Sequence, residues 1–296
     1  MPSPIRVLQG IRVLSLALNL PGPAALMRCR GMGATCVKLE PPGGDPMAHY
    51  NLPAYAQMHE GVQVVVADLK TDVGQKVLHR ELARSDVLLT SFRPSALDRL
   101  GLGWKQLHAL YPVLSQVAIV GAPGERAEEP GHDLTYLADN GLVPGLDLPA
   151  TLYADMSGSL MASEAVLQAA LVRNERYAGI GENHPQGVFI EVALATAAGY
   201  LALPRQWGLT RPEGAVGGAH AGYNVYPCKD GRVAVAALEP HFAAALCKAA
   251  GVELSDPRAM QQPATRAAIG AFLQTQTRAQ LDLLALEADI PLHCME

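Results

Sequence analysis

The alternation of short apolar segments with helical segments over the first 120 residues is the strongest constraint on the fold. Helical patterns, clearest at 24–32 and 71–83, separate segments rich in apolar residues. Strands that alternate with helices are typical of a parallel sheet with helices on both faces. The sequence therefore predicts an α/β fold with a Rossmann-like sheet. The predicted strands are 11–18, 35–39, 62–68, 86–90 and 114–120.

The pattern changes after residue 121. An Ala/Leu/Met-rich segment, 156–173, predicts a long buried helix, and 188–203 predicts a second one after a strand-like start. A glycine-rich stretch follows at 208–222, and an Asp-Gly turn then predicts a hairpin. We therefore expect two domains: a large α/β domain over 1–205 and a smaller α+β domain with its linker over 206–296.

Composition narrows the class of protein. With 49% hydrophobic and 17% charged residues the chain can form a packed core. The net charge of −5 gives no overall attraction to nucleic acid, and no uncharged apolar run is long enough to span a membrane. The first ten residues lack the signal-peptide pattern, so we expect a cytoplasmic protein. The five cysteines lack zinc-site spacing, and we expect reduced thiols and no metal.

Three cations lie at the carboxyl ends of three successive predicted strands: Lys38, Lys70 and Arg93. Ligands of open parallel sheets bind at the carboxyl ends of the strands. A phosphate-rich ligand along this edge would explain the pattern, although cations also end strands for solubility. The sequence has no glycine-rich phosphate-binding motif, so such a ligand would have to rely on these side chains.

The acid and base candidates are His132 with its neighbour Asp133, Asp155 and Glu239. Asp155 and Glu239 each stand where a predicted helix begins, so both could be structural N-caps. His132 could likewise be a structural histidine. A carboxylate at a helix start also lies beside N–H donors that can stabilise an oxyanion or enolate. Both interpretations stay open from the residues alone.

Motifs across nearly the whole chain, in this order, resemble those of the class III CoA-transferase superfamily. They are LQGIRVLSLALNLPGP, GMGATCVKLEPPGGDP, DLKTDVGQKVL, SDVLLTSFRPSALDRLGLGW and LYPVLSQVAI. The resemblance implies the fold of that superfamily: a large CoA-binding domain and a smaller domain. Members usually have a further C-terminal segment that completes an interlocked dimer, so the resemblance implies a C-terminally shortened version of this fold.

Within the superfamily, three segments are most similar to the α-methylacyl-CoA racemase family. GHDLTY, LYADMSG and AALEPHF resemble the segments that supply a catalytic histidine, a catalytic aspartate and a glutamate facing that histidine. The resemblance thus implies catalytic roles for His132, Asp155 and Glu239. It implies a homodimer in which Glu239 reaches His132 across the interface. It also implies a CoA site formed by Lys38, Lys70, Arg93, Pro21, Gly22 and Asp133.

Two reactions and one inactive alternative follow from the resemblance. In a racemase, His132 and Asp155 would act as bases on opposite faces of an acyl-CoA α-carbon, with N–H donors at Asp155 and Met156 stabilising the enolate. In a CoA-transferase, Asp155 would form an acyl anhydride. A non-catalytic CoA-binding relative is the third possibility. We expect CoA to enter as part of the substrate, with no tightly bound cofactor.

Overall fold

The computed structural model describes residues 5–177, 186–253 and 256–296. The chain divides into two compact units, Met1–Ala202 and Leu203–Glu296. The sequence predicts this boundary three residues later, between 205 and 206. Among the described residues, no helix has both the length and the apolar character that a bilayer span requires.

The first unit contains a six-stranded parallel sheet with the order β3-β2-β1-β4-β5-β6. The expected α/β fold with its Rossmann-like sheet is therefore confirmed. All five predicted strands are present, and the sixth comes from the strand-like start that precedes the predicted helix at 188–203. The strands are β1 (Arg12–Ser15), β2 (Thr35–Glu40), β3 (Gln63–Val66), β4 (Val87–Thr90), β5 (Ser115–Val120) and β6 (Phe189–Ala193).

Helices cover both faces of this sheet. One buried cluster lies around Val13, Val117 and Val166, and the other around Leu14, Leu78 and Leu88. The central strands β4 and β5 are buried at every position, which is why they read as apolar runs. The helices are α1 (Pro21–Gly31), α2 (Pro46–Tyr50), α3 (Leu52–Met58), α4 (Asp72–Leu82), α5 (Pro94–Arg99), α6 (Trp104–Leu110), α7 (Asp133–Asp139), α8 (Tyr153–Tyr177) and α9 (Leu194–Leu201).

The strand order positions the site. The chain builds the sheet outward from β1 through β2 to β3, then crosses to the other side of β1 and continues with β4 to β6. The carboxyl ends of β1 and β4 therefore flank a topological switch point, where open α/β sheets leave a crevice for ligands. The loops that follow β1, β4 and β5 meet at this edge.

The second unit is a three-stranded antiparallel sheet, β7-β8-β9, with helices packed on it. The predicted hairpin is confirmed, since Cys228 pairs with Gly231 where β7 turns into β8. The third strand was not predicted. It is formed by the last residues of the sequence and pairs with β8, with Leu292 opposite Val235. The elements are α10 (Leu203–Gln206), β7 (Tyr223–Cys228), β8 (Gly231–Ala236), α11 (Pro240–Ala249), α12 (Pro263–Thr275), α13 (Arg278–Glu287) and β9 (Leu292–Met295).

Candidate active site

A cleft of about 320 Å³ opens in the first unit at the carboxyl ends of β1, β4 and β5. It brings together four of the residues predicted from the sequence: Pro21, Arg93, His132 and Asp155. Residues that the sequence analysis did not single out complete the wall, among them Asn19, Ser91, Glu129 and Tyr136.

His132 is the N-cap residue of α7, with an extended backbone and an exposed side chain. Its N–H donates to Oγ1 of Thr135 (3.1 Å), and the Thr135 hydroxyl donates back to the His132 carbonyl (2.7 Å). These two bonds between the Thr135 side chain and the His132 backbone fix the backbone that carries the imidazole. The side chain therefore projects from a rigid helix end into the cleft.

Asp155 lies in the first turn of α8, which begins at Tyr153. The N-cap position that the sequence allowed for Asp155 is therefore wrong. The helix is placed beside α7 by the buried contact of Ala154 with Leu137 and Ala198. Burial, and to a smaller extent the negative charge of Asp133, raise the pKa of the Asp155 carboxyl to about 6, while His132 opposes the shift. Asp155 can therefore exchange a proton near neutral pH.

Asp133 is nearly fully buried, at 5% exposure. Its Oδ1 accepts the backbone N–H of Asp155 at 2.9 Å, so one carboxylate from α7 caps the first turn of α8. The expected CoA contact through this carboxylate does not match its position. The expected enolate donors are also committed elsewhere, since the Asp155 N–H binds Asp133 and the Met156 N–H donates to Leu152 (3.0 Å). Asp133 instead holds Asp155 in place.

The structure corrects the expectation that Lys38 belongs to a CoA-binding site. Its side chain has no solvent exposure, and Nζ contacts a carboxylate oxygen of Asp45, Oε1 of Glu40 (3.1 Å) and Nε2 of His59 (2.8 Å). The three N–H donors of an ammonium thus meet three acceptors. Nδ1 of His59 lies 2.7 Å from the Tyr55 carbonyl, so the proton belongs on Nδ1, and Nε2 accepts from Lys38. Lys38 is part of a buried ion cluster with no donor facing solvent.

Three acceptors of this cluster are also of types that bind metal ions. Ligand atoms of Glu40, Asp45 and His59 lie within 4.8 Å of one another, a spacing that could hold an ion. Lys38 Nζ contacts all three groups, so the ammonium already supplies the positive charge at their centre. Asp45 also accepts the N–H of Asn19 at 2.9 Å and so ties the cluster to the cleft wall.

The other two predicted cations are exposed, as expected for ligand contacts. Arg93 precedes α5 and lines the main cleft, whereas Lys70 lines a second cavity of about 160 Å³. This second cavity is mostly apolar, with Leu39, Leu69 and Phe92 in its wall. Leu18 and Phe92 border both cavities, so the two together follow the carboxyl edge of the sheet.

Pro21 and Gly22 begin α1, as the first strand–helix junction suggested. Pro21 lines the cleft, but Gly22 is a packing position, since a Cβ there would collide with the side chain of Ala17. Proline at both 21 and 23 removes two of the N–H groups that a helix start normally offers to a phosphate. Side-chain cations therefore have to provide most of the binding to any phosphate here.

Glu239 belongs to the second unit, where it is the exposed N-cap residue of α11. Its predicted position at a helix start is confirmed, although its side chain makes no capping hydrogen bond among the described residues. Its pairing with His132 across a dimer interface stays a prediction.

The chain belongs to CoA-transferase family III, whose model matches residues 8–295. It is 30% identical to the α-methylacyl-CoA racemase of Homo sapiens over 83% of this chain and 65% of the relative. It is also 30% identical to the succinyl-CoA–D-citramalate CoA-transferase of Chloroflexus aurantiacus, over 64% of this chain and 50% of that protein. The chain thus spans half to two thirds of the length of these curated relatives.

Solved structures show the same fold. A hypothetical protein of Mycobacterium tuberculosis superposes with a TM-score of 0.82 at 23% identity, covering 99% of this chain and 86% of that one. A CaiB/BaiF family protein of Brucella suis superposes with a TM-score of 0.79 at 23% identity, covering 99% and 85%. The fold expected from the sequence motifs is therefore confirmed, and the family includes both racemases and CoA-transferases.

Proposed function

We propose that this chain racemises or epimerises the α-carbon of 2-methyl-branched acyl-CoA thioesters by transferring a proton between His132 and Asp155. One observation carries the proposal: both side chains line a single cleft, and the pKa of Asp155 is raised to about 6. A general base or acid works best with a pKa near the working pH. Two different bases in one cleft are what a reaction that removes and returns a proton on opposite faces requires.

The proposed steps use these two groups only. The Asp155 carboxylate removes the α-proton of one enantiomer, the C–H electron pair forms the C=C bond of an enolate, and the carbonyl π pair moves to the thioester oxygen. The His132 imidazolium then returns a proton to the opposite face of the same carbon. In the reverse direction, His132 is the base and the Asp155 carboxylic acid is the donor.

The CoA part of the substrate would serve as a handle that fixes the α-carbon between the two bases. The exposed cations Arg93 and Lys70 stand at intervals along the carboxyl edge, and the apolar cavity beside Lys70 is of a size and lining suited to part of a nucleotide base. We propose that CoA lies along this edge with its phosphates near the two cations. No tightly bound cofactor enters this mechanism.

Deuterium uptake at the α-carbon tests the proposal. A 2-methylacyl-CoA is incubated with the protein in D₂O without any free carboxylic acid, and uptake is read by mass spectrometry. We expect exchange in the wild type and its loss in Asp155→Asn and His132→Ala. Asp139→Asn and His49→Ala, both at exposed positions outside the cleft, are the matched controls and should exchange normally.

CoA transfer between carboxylic acids is the second candidate, and a specific observation favours it. A relative that is 30% identical is a CoA-transferase, and an aspartate in the cleft is sufficient for an acyl-anhydride route. A chain that needs a free acid as co-substrate and takes up no deuterium would be a transferase. A folded chain that binds CoA and has neither activity would be a non-catalytic relative.

We also propose that the active form is a homodimer in which Glu239 of one subunit faces His132 of the other. This arrangement is what the sequence resemblance implies. A carboxylate beside the imidazole would accept a hydrogen bond from it and orient its ring. A stable and fully active monomer would contradict it.

A further inference from the structure

The enolate oxygen of the proposed reaction needs a hydrogen-bond donor, and the backbone donors expected from the sequence do not serve. The Asp155 N–H binds the Asp133 carboxylate, and the Met156 N–H donates to the carbonyl of Leu152, just before α8. Stabilisation of a developing oxyanion by a positioned donor is usually the largest single contribution to catalysis, and without such a donor it is lost. A side-chain donor in the cleft can supply this hydrogen bond.

The hydroxyl of Tyr136 is placed to donate this hydrogen bond. It lies one turn after His132 on α7, and its N–H donates to the His132 carbonyl at 3.3 Å. The phenol and the imidazole both border the cleft. Tyr136 and Asp155 both line the same cavity.

Two glycines make room for the phenol. A Cβ on Gly121, just after β5, would collide with Oη of Tyr136, and a Cβ on Gly131 would come within 2.6 Å of the same atom. The tip of the ring is thus held between two backbone segments that have no side chains. Among the described residues, the Tyr136 hydroxyl has no hydrogen-bond partner, which leaves its proton free for a ligand.

The electrostatic surroundings keep this hydroxyl protonated. Burial raises the pKa of the Tyr136 phenol, the negative charge of Asp155 raises it further, and Arg93 opposes the shift. A phenol that keeps its proton at neutral pH donates a hydrogen bond but does not compete as a base. The charge that forms on the thioester oxygen strengthens this bond in the transition state.

Resting on the proposed function, we propose that Tyr136 is a further catalytic residue: its hydroxyl donates a hydrogen bond to the thioester oxygen as that oxygen becomes negative. The proton stays on the phenol throughout. The same contact would serve the tetrahedral oxyanion of acyl transfer, because the charge develops on the same oxygen. Gly121 and Gly131 act as positioning residues for the ring.

The test compares Tyr136→Phe with the wild type in the deuterium-exchange assay. Loss of one oxyanion donor should lower kcat about 10²–10³-fold. KM for the acyl-CoA should change little, because the bond forms mainly in the transition state. Tyr111→Phe is the matched control: it also removes a phenol hydroxyl, here one that lies 2.8 Å from His79 and outside the cleft, and it should exchange at the wild-type rate.

A second variant covers the case in which Tyr136→Phe does not fold. Gly121→Ala leaves the tyrosine in place but displaces its hydroxyl, and it should also lower kcat at least tenfold. Wild-type kcat in folded Tyr136→Phe overturns the role of the tyrosine and leaves the racemase proposal standing.

The experiments distinguish a failure of the racemase proposal from a failure of the proposal for Tyr136. If the wild type takes up no deuterium but transfers CoA through Asp155, racemisation is wrong, and the tyrosine is tested in transfer: a tenfold or greater loss supports it, and an unchanged rate overturns it. A folded wild type that catalyses neither reaction overturns both proposals.

Discussion

At the scale of single residues, the pairing of Asp133 with Asp155 predicts a pH effect. In the direction in which Asp155 removes the proton, the acidic limb of the kcat/KM profile should rise with pH, with its midpoint near the Asp155 pKa of about 6. Asp133→Asn keeps an oxygen for the Asp155 N–H but removes the negative charge that raises this pKa. The midpoint of the rise should therefore move to lower pH.

A pH–rate profile of the two proteins measures this shift. Asp139→Asn, a change of the same chemistry at an exposed position on the same helix, should leave the midpoint in place. A midpoint that moves to higher pH in Asp133→Asn would contradict the proposed coupling between the two carboxylates.

The buried position of Lys38 predicts a large effect on stability. In Lys38→Met, Glu40 and Asp45 would keep their charges inside the protein without the cation, a loss that typically costs about 3–5 kcal/mol. Urea denaturation measures the free energy of unfolding. Lys70→Met removes an exposed cation and should change that free energy by less than about 0.5 kcal/mol while raising KM for acyl-CoA. If Lys38→Met kept wild-type stability and lost CoA affinity, the expectation from the sequence would have been right.

At the scale of elements, Asn140 links two of the helices that form the site. Its Nδ2 donates to the carbonyls of Tyr136 in α7 (2.8 Å) and Ala195 in α9 (3.2 Å). Asn140→Ala should destabilise the protein by about 1–2 kcal/mol. Asn140→Asp should cost more despite its equal size, because a carboxylate would face two carbonyl oxygens without a donor. Thermal unfolding compares the two variants, and the reverse order would contradict this assignment.

The sequence predicted the elements that can be recognised from the hydrophobic pattern of their own residues. Strands such as β4 and β5 are buried on both faces and therefore appear as continuous apolar runs. The short helices α2 and α5 were not predicted, since each begins at a proline that resembles a loop signal. The strand β9 was not predicted because its partner, β8, lies far away in the sequence.

The same distinction applies to the site. Arg93, His132 and Asp155 were identified by residue type and motif, and the fold brings them to one cleft. Lys38 was misjudged because its burial depends on Asp45, in the turn after β2, and on His59, at the end of α3. One local signal was available: Lys38 and Glu40 alternate within a buried strand, a pattern that favours an internal ion pair. The role of Asp133 as a cap for another helix has no sequence signature.

At the scale of the whole molecule, the proposed homodimer makes a prediction that no single variant can test. If each active site combines Asp155 of one subunit with Glu239 of the other, Asp155→Asn and Glu239→Gln are defects in different subunits. A heterodimer of the two variants then has one site with both changes and one intact site. Dissociating an equal mixture and allowing it to reassociate should give half heterodimers, so roughly a quarter of wild-type deuterium exchange should return. Each variant treated alone should stay inactive. Should the mixture remain as inactive as its components while native mass spectrometry shows heterodimers, each site would lie within one subunit, and the proposed pairing of Glu239 with His132 across the interface would be wrong.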